Sequence, residues 1–213
     1  MKLIFVGTRG EIETRSRRHY RHSVLLVSFR GKKVLIDCGA DWLGRFQRLR
    51  PDAIVLTHAH VDHAGGLKKG APCLVFATSE TWRGLRRYPV EQRHVVERRR
   101  RVTICEMTFE AFSLEHSLLA PAVGWRVCAG SSCFFYAPDV ISIHESGDAL
   151  NGVRIYIGDG ASFLRPLLRK RGRHVIGHTS MSQQLCWCAR HNFRRAIFTL
   201  VDRRLWPGKK RNL

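Results

Sequence analysis

Three histidines and an aspartate stand within six positions of this chain: His58, His60, Asp62 and His63, in Thr57-His58-Ala59-His60-Val61-Asp62-His63-Ala64-Gly65-Gly66. Neutral imidazoles and a carboxylate are the donors that Zn2+, Mn2+ and Fe favour. The stretch follows Ala53-Ile54-Val55-Leu56-Thr57, an apolar run that reads as a buried strand. Side chains alternate along extended backbone, so His58 and His60 project to one face. A turn after them brings Asp62 and His63 to an adjacent position. Such spacing can serve two metals held close together, which polarise a scissile group and supply hydroxide near neutral pH. Gly65 and Gly66 allow a close backbone approach at the turn. A polar loop with accidental histidines is the bland alternative. Four ligand-type residues at this spacing, directly after a strand, speak against it.

The surrounding elements must hold that stretch in place. Residues 1–7 read as a first strand and residues 8–22 as a basic loop. Val24–Phe29 and Lys33–Asp37 form a hairpin-like pair about Gly31. Trp42–Leu49 reads as a short helix. Ala64–Leu67 opens a turn or short helix, Cys73–Ala77 is a strand, and Ser79–Leu85 a capped helix. Val102–Ile104 and Ala111–Leu114 read as strands. Gly124–Ala129 pairs with Cys133–Tyr136 across Gly130-Ser131. Val153–Ile157 is a strand that ends at Gly158-Asp159-Gly160. Ser180–His191 has helical character, and Ala196–Thr199 is a last strand. Many strands with a few interspersed helices point to a sandwich of β-sheets flanked by helices. No repeat and no linker divides the chain.

The segment at 57–66 resembles the His-x-His-x-Asp-His signature of the metallo-β-lactamase superfamily, in its phosphodiesterase and ribonuclease Z-like branch. The resemblance implies an α/β (α+β) fold, an αββα sandwich with one or two metals at the edge of its sheets. Zn2+ is the ion expected, with Mn2+ or Fe as alternatives. By resemblance, His58, His60 and His116 hold the first metal. Asp62 and His63 hold the second, and Asp139 bridges. A water held by the metals is the nucleophile, and Asp62 also orients it. Asp37 supports the ligands from behind. His178, in Ile176-Gly177-His178-Thr179-Ser180, matches a histidine that assists the reacting phosphate. Its local alternative is a helix-start residue making a nearby hydrogen bond. Asp159 follows a strand as a further acid, or serves as a turn residue.

One position departs from the pattern. The family's last strand runs into a histidine that completes the second metal site, but Ala196-Ile197-Phe198-Thr199 is followed by Leu200. Leucine cannot ligate a metal, so the expectation is one tightly held ion and one weak or absent. We read residues 1–199 as the metallo-β-lactamase-fold domain and residues 200–213 as a basic tail that leaves the pattern. A frame change would produce such an end.

The chain carries 37 Lys and Arg against 17 Asp and Glu, a formal charge of +20. A field of that sign concentrates anions, so an anionic substrate such as a nucleic acid or nucleotide is expected. An arginine-rich but merely solvated surface is the competing explanation. No aromatic-basic nucleic-acid motif is present. Seven scattered cysteines argue against a disulfide framework, and Cys186-x-Cys188 is too tight for a zinc finger. No apolar stretch reaches membrane-spanning length, and a cytoplasmic location is expected. Among the other histidines, His19 and His22 fall where a site mouth could be. His94, His144, His174 and His191 read as surface or packing residues.

Three functional readings follow. The first is a hydrolase using metal-activated water, directed by the basic surface and His178 toward phosphodiesters. The second, favoured by Leu200, is an impaired or non-catalytic metal-binding domain that binds nucleic acid or a protein partner. The third is a biosynthetic protein. Tyr136-Ala137-Pro138-Asp139 and Asp159-Gly160 resemble the superfamily's pyrroloquinoline-quinone-associated member, though the likeness is thin elsewhere.

Overall fold

The apolar runs of this chain alternate between two destinations, and that alternation builds the layers. Leu25 and Val27 enter one core while Val24 and Leu26 enter another, and Ala53 and Val55 part from Ile54 and Leu56 in the same way. Period-2 side chains send neighbours to opposite faces, so a strand buried on both faces reads as a continuous apolar run. The computed structural model describes residues 1–11, 15–17, 19–172 and 174–201. The basic segment at 202–213 lies outside them.

The first sheet has the order β1 (Lys2–Gly7), β2 (Val24–Phe29), β3 (Lys32–Ile36), β4 (Ala53–Val55), β5 (Leu74–Ala77) and β6 (Arg93–Val95). The first three strands pair antiparallel, and β3 to β6 pair in parallel. The second sheet gathers β7 (Arg101–Ile104), β8 (Met107–Glu115), β9 (Ala122–Ala129), β10 (Ser132–Tyr136), β11 (Ser142–Ile143), β12 (Ile155–Asp159) and the last strand, Arg195–Thr199. A separate hairpin joins β13 (Leu167–Arg171) to β14 (His174–His178), which makes the last strand β15.

Between the two large sheets lies a core that includes Ile36, Val55, Phe109, Trp125, Phe134 and Ile157. On the outer side of the first sheet, Trp42, Phe46, Leu67, Trp82 and Leu85 form a second core with α1 (Val61–Ala64) and α2 (Ser79–Gly84). On the outer side of the second, Phe112, Phe135, Tyr156 and Cys188 pack with α3 (Ser146–Leu150) and α4 (Met181–Arg190). The result is the αββα sandwich expected from the sequence. Thr78 and Ser180 cap α2 and α4 by accepting from the N–H of Thr81 and Gln183.

Strand direction decides where the chemistry lies. β8 and β10 both run antiparallel to β9, while β10, β12 and β15 pair in parallel. These four strands therefore end at one edge of the sheet. His116 follows β8, Asp139 follows β10, Asp159 closes β12, and Leu200 follows β15.

Several local expectations change. Trp42–Leu49 is not one helix but part of two short 3-10 turns, Ala40–Trp42 and Phe46–Leu49. Gly44 between them adopts φ +68, which breaks a helix. The hairpin β13–β14, β6, β11 and α3 had no clear apolar pattern, being short, basic or polar. Cys128 and Cys133 face each other in the β9–β10 register and form a disulfide, while the other five cysteines are free. Among the described residues, no helix is long and apolar enough to cross a membrane.

Candidate metal centre

β4 delivers Thr57 and His58 to the sheet edge, and α1 carries Asp62 and His63 back across it. The turn between them is held tightly. A Cβ on Gly66 would fall 2.5 Å from Cys38 Sγ and 2.8 Å from Cys38 O, so only glycine fits there. Asp37, fully buried, accepts from the Thr57 N–H at 2.8 Å and from Thr57 Oγ1 at 2.9 Å. Its other oxygen lies 2.8 Å from His63 Nδ1. Asp37 thereby fixes which nitrogen of His63 points forward.

The forward-facing atoms converge. His58 Nε2 lies 2.9 Å from His60 Nδ1 and 3.4 Å from Asp139 Oδ2. His116 Nε2 lies 3.4 Å from His60 Nδ1, while its Nδ1 is held by the Gly177 carbonyl at 2.9 Å. His63 Nε2 lies 2.8 Å from Asp139 Oδ2 and 3.3 Å from Asp62 Oδ2. Three groups have their donor atoms within 4.8 Å of one another: His58, His60 and His116; His58, His63 and Asp139; Asp139, Asp159 and His178. All seven residues expected from the sequence, namely His58, His60, Asp62, His63, His116, Asp139 and His178, thus meet at one edge.

Two observations fit a metal here. His63 Nε2 is buried and, although 2.8 Å from a carboxylate oxygen, makes no hydrogen bond. A lone pair shared with an ion would satisfy it. Asp37, Asp62, Asp139 and Asp159 are all buried, and among the described residues their ion-pair partners are histidines alone. Buried charges require partners or metals.

The ionisation directions divide between the histidines. Burial, with positive His63 adding to it, holds His58 well below the usual imidazole range, leaving it neutral as a ligand must be. Burial opposes charge on His63, but Asp62, Asp139 and Asp37 outweigh it and raise its pKa well above that range. Burial would raise Asp139, yet His63 and the neighbouring His116 and His178 hold it well below the usual carboxylate range. The surroundings thus place a positive charge among these acids.

His178 ends β14, two residues ahead of the Ser180 cap. Its Nδ1 lies 2.7 Å from Asp159 Oδ2 and 3.6 Å from Asp139 Oδ1. Burial lowers its pKa, but Asp159 and then Asp139 raise it to about 9. Asp159 is no simple turn residue. It also accepts the N–H groups of Val140 and Ala161, tying the loop that holds Asp139 to the end of β12. His22 is bound to Asp41, and His19 to Thr8.

Above these groups opens a cavity of about 530 Å³, lined among others by Glu11, Asp62, Asp139, Arg169, His178 and Leu200. Leu200 is 4% exposed, with φ +58. A Cβ placed on Gly10 would lie 3.7 Å from Leu200 Cβ and 3.9 Å from Asp62 Oδ2, so Gly10 sits between the two, and both line the cavity. Glu11 and Arg169 had no motif to announce them; tertiary packing alone brings them here.

Residues 32–199 match the family model of the beta-lactamase superfamily domain. The chain belongs to the metallo-β-lactamase superfamily. Over 68 residues it is 43% identical to ribonuclease Z of Methanopyrus kandleri, a segment that is 30% of this chain and 23% of that one. The matches thus span about a quarter of the length of these curated relatives. Among solved structures, the metallo-beta-lactamase fold protein YhfI of Bacillus subtilis superposes with TM-score 0.75 at 14% identity, covering 93% of this chain and 85% of the other. The short form of human tRNase Z gives TM-score 0.65 at 18% identity, covering 96% and 94%.

Proposed function

We propose that this protein is a metal-dependent hydrolase of phosphodiesters. The observation that carries the reading is the edge where His58, His60, His63 and His116 converge on buried acids that, among the described residues, pair with histidines and with no Lys or Arg. His58, His60 and His116 would hold one ion. Asp62 and His63 would hold a second, with Asp139 shared. The imidazole-rich donor set suits Zn2+, and Mn2+ or Fe would also be accepted. When bound, the metal supplies Lewis-acid polarisation and activates water near neutral pH.

The protein's own groups do the rest. Asp62 orients the attacking water and accepts its proton. His178, anchored through Nδ1 on Asp159, presents its remaining nitrogen to the leaving oxygen and hands it a proton. The basic surface attracts an anionic substrate, a nucleic acid or nucleotide. The similarity to ribonuclease Z supports this direction. We place the activity in the cytoplasm, where most of the chain's cysteines, five of seven, would stay reduced, although the Cys128–Cys133 disulfide is unusual for that compartment.

Hydrolysis of bis-p-nitrophenyl phosphate by metal-loaded protein, beside Asp62→Ala and with bound metal counted in both, tests the reading. Turnover lost in the variant supports it. Metal retained without turnover of any phosphodiester would overturn it.

A second reading rests on Leu200. An apolar side chain where the family pattern has a histidine removes a donor from the second metal position, and a one-metal domain could bind nucleic acid without cleaving it. Such binding would weaken steeply with salt as phosphate counterions are released. Salt-insensitive binding would count against this alternative.

A further inference from the structure

The β13–β14 hairpin forms one wall of the metal cavity, and its pleat sorts its residues. Leu167 pairs with His178 and Arg169 pairs with Ile176. Directly opposed residues, and residues two apart on a strand, share a face. Leu167, Arg169, Ile176 and His178 therefore form one face, and all four line the cavity. Lys170, one position away, belongs to the opposite face.

Arg169 is the single Lys or Arg among the described residues that line this cavity. It makes no ion pair or side-chain hydrogen bond with any described residue, whereas Glu110, Asp41 and Glu80 engage the arginines around them. Asp62, Asp139 and Asp159 already face histidines, and Glu11 is the other acid that lines the cavity with Arg169. Residues 160–201 carry eight Lys or Arg and no Asp or Glu, so nothing nearby in sequence competes for its charge. His178 is fixed to Asp159 at 2.7 Å. Arg169 lies diagonally across the ladder from it, about 7–8 Å away between backbones. A guanidinium at that step meets a second anionic group of the substrate, one unit beyond the group that His178 faces.

We propose that Arg169 is a specificity-determining residue that selects phosphodiesters bearing a further phosphate next to the scissile one. The inference rests on the phosphodiesterase reading for what is cleaved, but its binding test does not require turnover. Arg169 acts as a fork donating to phosphate oxygens, a geometry lysine reproduces only as a point charge. Leu167 and Ile176 beside it offer apolar surface to the rest of the same unit.

The test compares two probes, the dinucleotides UpU and pUpUp, on the metal-loaded protein. Wild type binds pUpUp more tightly than UpU, by about tenfold or more, as expected for a charge-assisted hydrogen bond. Arg169→Ala brings the ratio of the two Kd values close to one, and Arg169→Lys keeps part of it. Lys170→Ala, on the other face, keeps the wild-type ratio. An unchanged ratio in Arg169→Ala overturns the proposal. An equal loss in Lys170→Ala also overturns it, because a diffuse basic field would then explain the preference. Turnover is read separately on the same samples. A Kd ratio that depends on Arg169 without cleavage of either probe would sink the phosphodiesterase reading and leave the binding role standing.

Discussion

His63 Nδ1 lies 2.8 Å from Asp37 Oδ2, with both side chains fully buried. This contact turns the imidazole so that Nε2 faces Asp139 and Asp62. The same carboxylate holds the backbone and hydroxyl of Thr57, the residue just ahead of His58. One acid thus positions both ends of the ligand-bearing stretch.

Replacing Asp37 by Asn should weaken metal binding by about 10–100-fold, the usual cost of losing a group that orients a ligand. Asparagine tolerates the φ of +64 that Asp37 adopts, so the backbone survives. Competition with a chelator measures the change. Unaltered affinity would show that the contact does not orient His63.

Leu200→His should raise the metal retained after dialysis from one equivalent toward two. The new imidazole would enter the cavity that Asp62 also lines, on a backbone with φ +58 that histidine adopts more readily than leucine. Elemental analysis of wild type and variant decides it. Two equivalents held firmly by the wild type would show that Leu200 leaves the second position intact.

His58→Ala and Asp62→Ala should fail differently. His58 belongs to two of the three donor groups, so its loss should release metal. Asp62→Ala should keep the first ion yet lose about 10²–10⁴-fold in turnover, the range for a proton-transfer group. Equal metal loss in both variants would contradict this division of roles.

Stability should depend on pH through Glu110, which is 5% exposed and bound by Arg126 at 2.5 Å and Arg101 at 3.2 Å. Burial would raise its pKa, but those arginines outweigh burial and lower it. A carboxylate depressed on folding contributes stability above its unfolded pKa and loses it as pH falls through the folded value. Glu110→Gln should therefore cost about 1–3 kcal/mol at neutral pH. The gap to wild type should close in acid. Urea melts at pH 7 and pH 3 would show it, and a gap that widened in acid would contradict the assignment.

The apolar runs specified most strands and the sandwich, because strands buried on both faces announce themselves as continuous hydrophobic segments. Hairpin β13–β14 carries no such mark, since Leu167–Lys170 are exposed and its sequence is basic. Cys128 and Cys133 looked unrelated until the β9–β10 register set them opposite each other.

His58, His60, Asp62 and His63 were legible by spacing alone, since one short turn holds all four. The residue types at 116, 139, 178 and 200 were visible too, including the leucine where a donor was expected. Their meeting depended on tertiary structure. β8, β10, β12 and β15 run the same way, so residues 116, 139, 159 and 200 finish at one sheet edge, and the separate hairpin β13–β14 brings His178 to them. Local sequence specifies donors; the direction of the strands decides which donors face one another.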